Sequence, residues 1–154
     1  MSDRLRVTVA DELGLRGKLR LVIRRRGRVV EIDDEDNLVM DAPRADIASC
    51  LAGAPVTILP VTHVAVGTNG AAPTGQDAAI TFAFTKPLLQ VSRPSPTVVV
   101  CTFQILSTDA NGMAIREFGL LRSDGSLYAR RTRSGKVIEK DSDIEIDGEW
   151  TLYV

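Results

Sequence analysis

The chain has 154 residues, 44% of them hydrophobic, with 19 Lys and Arg against 20 Asp and Glu and a net charge of -1. That length and apolar content suit one compact domain with a sizeable core and exclude a disordered chain. The near balance of charge leaves no global field to draw the protein to nucleic acid or to an anionic membrane.

Residues 1–17 form the first segment, in which Leu5, Val7 and Val9 alternate with polar neighbours. The alternation suits either an extended arm added to a partner's sheet or an edge strand of the chain's own domain. Asp3, Arg4 and Arg6 stand where a secretory leader would need an apolar run, and runs such as Pro96–Phe103 fall far short of the roughly 20 residues that cross a bilayer. These features predict a soluble protein made in the cytoplasm.

After breaks at Gly14 and Gly17, Leu19, Leu21 and Ile23 alternate as in a strand with one covered face. Gly27 predicts a reversal, with Val29–Ile32 as the returning strand and Arg24, Arg25, Arg26 and Arg28 around the turn. The like-charged run Asp33–Asp36, ending at Asn37, reads as a solvated loop. Asn37–Met40 is a short extended piece. A helix is expected over Pro43–Ala52, capped by Asp41, with Ile47, Ala48, Cys50 and Leu51 as its apolar stripe and Gly53 as its stop. Cys50 and Cys101 fall in segments that look buried and read as free core thiols.

Strands are expected next at Val56–Leu59 and Thr62–Val66, and then from Phe82 to Val91, where Pro87 marks an edge or a bulge. Val98–Leu106 is the strongest candidate for a buried strand, and Asp109–Gly112 is a turn. Ile115–Leu121 and Leu127–Arg130 flank the tight hairpin Ser123-Asp-Gly125, and Ile144–Val154 alternates as the last strand. Seven or more strands with one helix predict a mainly β fold, an antiparallel β-sandwich-like domain over residues 1–154.

Candidate chemistry is sparse. His63 is the single histidine and lies in an apolar strand without an identifiable partner, which is the pattern of a structural side chain. Asp33–Asp36 lack the spacing of a calcium loop. Arg24, Arg25, Arg26 and Arg28, and the later basic group Arg130, Arg131, Arg133 and Lys136, have no interleaved aromatics, so they point to ion pairs with a neighbouring subunit or to solvated turns rather than to nucleic acid. Gly67–Gly75 is Gly-rich but lacks the Gly-Lys-Ser/Thr ending of a phosphate loop. No catalytic residue, cofactor, metal or small-molecule substrate is expected.

Several pieces together resemble a family of tail-associated structural proteins of bacteriophages and phage-tail-like contractile particles. They are Asn37-Leu-Val, the helix ending Leu51-Ala-Gly53, Val64-Ala-Val-Gly-Thr with Ala72-Pro-Thr and Asp77-Ala-Ala, Asn111-Gly, Ile115-Arg-Glu-Phe-Gly-Leu, Ser123–Arg130, and Ile144-Glu-Ile with Trp150-Thr-Leu. The likeness runs from about Val29 to the C-terminus, with Asp77-Ala-Ala-Ile standing where Asp-Thr-Ala-Leu would be usual. It implies a collar, baseplate or fibre-attachment component present in several copies, incorporated into a virion or tail-like particle, with copies of itself and other tail or baseplate proteins as partners. The sequence given stops at Val154 without a repetitive shaft or a receptor-binding domain, which favours a short adaptor over a receptor-binding fibre. Candidate subunit-contact residues are Leu5, Val7, Val9, Arg24, Arg25, Arg26, Thr68, Asn69 and Pro73. A carbohydrate-binding β-sandwich module is the alternative.

Overall fold

A computed structural model describes residues 14–154. Strand β1, Arg16–Arg25, turns its odd-numbered residues inward, so Leu19, Leu21 and Ile23 are buried while Lys18 and Arg20 face water. Gly17, expected as a break, lies within this strand. Arg26 and Gly27 both take positive φ, 53° and 79°, which closes a two-residue hairpin into β2, Arg28–Val39. The acidic run expected as a solvated loop therefore belongs to β2. Its Asp33 is buried, because its inward position meets arginines of the opposite layer instead of solvent.

Nine strands form one curled antiparallel sheet in the order β4-β3-β8-β9-β2-β1-β11-β6-β5. The remaining members are β3 (Val61–Gly67), β4 (Phe84–Pro87), β5 (Gln90–Ser95), β6 (Val98–Ile105), β8 (Glu117–Arg122), β9 (Leu127–Thr132) and β11 (Ile144–Tyr153). The small pair β7 (Ala114–Ile115) and β10 (Ile138–Glu139) stands apart. The fold is thus mainly β and sandwich-like, as the alternation predicts.

Two segments carry the sheet from one layer to the other. β2 pairs with β1 along most of its length and with β9 only at Leu38 and Val39. On the far side, the Leu88 N–H donates to the Thr62 carbonyl of β3 and the Leu89 N–H to the Thr102 carbonyl of β6. Consecutive residues thereby join the two ends of the strand order, so β4 and β5 are halves of one segment that turns a corner. Pro87, read from sequence as an edge or bulge, sits at that corner.

The two layers meet through Leu19, Leu21, Phe103, Ile105, Ile146 and Trp150 on one side and Val64, Val66, Phe118 and Leu120 on the other. The rings of Phe103 and Phe118 lie 6.4 Å apart between centroids. Gly148 of β11 lies under the Phe103 ring, where a Cβ atom would overlap it. The layer containing β3, β8 and β9 is covered on its other face too, by Met40, Ile80 and the chain leading up to it. This double cover explains why Glu117–Leu120 is buried continuously.

The helix differs from expectation. α1 spans Asp41–Leu51, and only Pro43 of it is buried; Leu51 is 84% exposed, so most of the anticipated apolar stripe faces outward and only its Ile47 is half-buried. Met40, drawn into the core and bonded through its N–H to the Tyr128 carbonyl, takes the N-cap position, and Asp41 falls in the first turn. Cys50 is exposed as a result, contrary to the core-thiol reading, whereas Cys101 is buried and burial pushes its thiol up to about 11. Val56–Leu59 forms no strand: Pro55 and Pro60 bracket it and remove donors at both ends, and the Val56 N–H turns back to the Ala54 carbonyl.

Candidate functional site

The Gly-rich loop leaves β3 at Gly67 and returns near Thr81, where the Thr68 N–H donates to the Thr81 carbonyl at 3.2 Å. A loop with its ends this close is compact and carries its own packing. It lies over the outer face of β8 and β9, and two side chains from those strands fill its base. Glu117 on β8 is fully buried; its Oε2 accepts the N–H groups of Asn69 at 2.7 Å and Thr81 at 3.1 Å, tying both ends of the loop to one carboxylate.

Arg130 on β9 stands beside it, 2% exposed. Its Nε donates to Glu117 Oε1 at 2.9 Å and its Nη1 to Asp77 Oδ2 at 2.8 Å. Its Nη2 donates to the carbonyls of Asn69 at 2.9 Å and Ala71 at 3.0 Å. Guanidinium suits this place because its planar fork reaches several acceptors from one fixed position. The carboxylate of Asp77 meets a desolvation penalty that raises its pKa. Hydrogen bonds from the Thr74 N–H and hydroxyl, together with Arg130, outweigh that penalty and hold it below the usual carboxylate value. At the tip, the Gly75 carbonyl accepts the Asp41 N–H at 2.8 Å, which fastens the loop to the start of α1.

Successive residues of a strand face opposite sides, so Arg131 points between the layers. Its Nη1 donates to the Leu19 carbonyl at 2.8 Å and its Nη2 to Asp33, with Glu35 3.6 Å away. Arg133 donates to Asp33 at 3.2 Å and to Glu31 at 2.7 Å. The basic group expected to pair with a neighbouring subunit or to sit in solvated turns is therefore paired within the chain. Only Lys136, 3.6 Å from Glu31, keeps an exposed side chain. The partner carboxylates alternate along β2, a spacing readable from Glu31-Ile-Asp33-Asp-Glu35 once that run is taken as a strand rather than a loop.

The other candidate residues lie apart from one another. Leu5, Val7 and Val9 fall outside the described residues. Arg24 pairs with Asp147 and Arg25 with Asp143, while Arg26 occupies the hairpin turn. Thr68, Asn69 and Pro73 belong to the loop; the Asn69 side chain accepts the Ala71 N–H at 3.0 Å, and its exposure leaves it on the outer surface. His63 is half-buried, with Nδ1 2.8 Å from the Thr62 hydroxyl, and borders a depression of about 440 Å³ with Thr85, Arg122 and Asp124. Among the described residues no group of three or more His, Cys, Asp or Glu side chains is placed to hold a metal ion. No helix of the described residues is long and apolar enough to cross a membrane.

What the arrangement can do follows from where its charges go. Arg130 and Glu117 are saturated by the loop they carry, which makes them supports, and the loop presents Asn69, Gly70, Ala71, Ala72, Thr74 and Gln76 as an exposed, fixed surface. Comparison of the chain with family models, curated proteins and solved structures finds no match.

Proposed function

We propose that this chain is a non-enzymatic structural subunit of a phage tail or phage-tail-like particle, a collar, baseplate or fibre-attachment adaptor that works by multimeric assembly. On this reading it is made in the cytoplasm and then joins the particle, with copies of itself and other tail or baseplate proteins as partners. The observation that carries the proposal is the loop from Thr68 to Ala79. This stretch holds much of the resemblance, and a buried arginine and a buried glutamate are committed to holding it rigid at the surface. A pre-ordered loop loses little entropy when a neighbour docks, which favours contact between subunits.

The sugar-binding alternative gains nothing from the single tryptophan. Trp150 is buried and donates its indole N–H to Asn37 Oδ1 at 2.7 Å, so it offers no platform for a pyranose ring. Light scattering of the purified protein over a range of concentrations tests the assembly reading, with a discrete oligomer as the expected result. A strict monomer at the highest concentration, together with saturable binding to one sugar class on a glycan array, would replace it with the alternative.

A further inference from the structure

From the geometry of β2 we infer that its open edge receives residues 3–9 of a neighbouring copy as an added strand. The inference rests on the assembly reading above and gives it a contact. The Met40 N–H donates to the Tyr128 carbonyl, and Leu38 pairs with Arg130. Peptide groups alternate sides along a strand, so the even-numbered residues of β2 direct theirs away from β1. At Leu38 and Met40 those groups meet β9. At Ile32, Asp34 and Asp36 they meet no backbone partner among the described residues, because β9 has diverged and only the side chains of Arg131 and Arg133 bridge back. This open edge is longer than β4 and abuts apolar side chains that face water: Val30 is 57% and Ile32 56% exposed.

Open edges invite pairing, and acidic residues along one repel unspecific partners. Asp34, Glu35 and Asp36 are exposed here, so a fitting strand carries positive charge at alternate positions. The N-terminal sequence Asp3-Arg4-Leu5-Arg6-Val7-Thr8-Val9 has that pattern, with Arg4 and Arg6 on one face and Leu5, Val7 and Val9 on the other. Added to β2 with its basic face outward, it sets Arg4 and Arg6 beside Asp34 and Asp36, and its peptide groups satisfy those of Ile32, Asp34 and Asp36.

Charge reversal in the full chain tests this. Arg4→Glu with Arg6→Glu, and separately Asp34→Lys with Asp36→Lys, are each expected to weaken self-association about ten-fold by sedimentation, and the four substitutions combined to restore it. In the native oligomer the Ile32, Asp34 and Asp36 amides should exchange slowly with deuterium and become fast in either reversed variant. An oligomer indifferent to these substitutions overturns the strand addition while leaving assembly intact. A monomer whose Ile32 amide is nevertheless protected overturns it in favour of the chain's own arm. A monomer with exposed β2 amides at every concentration removes the assembly reading as well.

Discussion

Arg130 gathers most of the buried polar contacts that hold the loop. Its guanidinium is almost fully buried and meets Glu117, Asp77 and two loop carbonyls. Removing one partner of a buried ion pair leaves the other charge without compensation, at a cost of about 3–5 kcal/mol. Arg130→Ala is therefore expected to lower the urea midpoint by that equivalent. Arg130→Lys should recover little of the loss, since one ammonium cannot reach all four acceptors. Equal stability of the lysine variant and the native protein would show that the fork geometry is unimportant. Asp77 adds a pH dependence of its own. Its folded pKa is depressed below the unfolded value of about 3.9, so its contribution is present above that value and is lost as pH falls through the lower folded one. Urea midpoints taken between about pH 5 and pH 2 should fall more steeply for the native protein than for Asp77→Asn; parallel curves would contradict the assignment.

At the scale of elements, close approach decides as much as alternation. Gly148 lets the Phe103 ring lie directly on β11, and a methyl group there has no free space. Gly148→Ala should destabilise by about 1–3 kcal/mol in chemical denaturation, the range of an overpacked core, and an unchanged midpoint would mean that the ring moves freely. That contact illustrates where the sequence was opaque. The hairpins at Arg26-Gly27 and Ser123–Gly125 and the strands with one wet face were legible, because their turn residues and period-2 patterns are local. β2 was only half legible: Asp33-Asp-Glu-Asp36 looks solvated until the arginines 98 and 100 residues beyond Asp33 are known to face it. The helix misled in the opposite sense. Ile47, Ala48, Cys50 and Leu51 have helical spacing, but burial requires a facing layer and none of the described elements supplies one. Of the candidate site, the loop was visible as a Gly-Pro excursion, whereas its support by Glu117 and Arg130 depends on strand register, which no short-range pattern encodes.

The whole molecule combines a curled, two-layered sheet with protruding parts of low local stability. β11 lies between β1 and β6, with buried residues alternating along its length. Exchange of its amides with deuterium should require global unfolding. α1 stands at the other extreme: it is fastened by the Asp41–Gly75 backbone bond, by Arg122 to Asp46 at 2.6 Å and by Arg44 to the Leu15 carbonyl at 2.7 Å, with Pro43 as its one buried residue. Three polar ties and one buried ring cannot protect a short helix as a packed core does. At concentrations where the protein is monomeric, α1 amides should therefore exchange about a hundredfold faster than those of β11, or more. Equal protection in the monomer would contradict this account of the helix. Protection that appears only as the protein associates would place α1, with its exposed Leu51 and Cys50, inside a subunit contact distinct from the edge of β2.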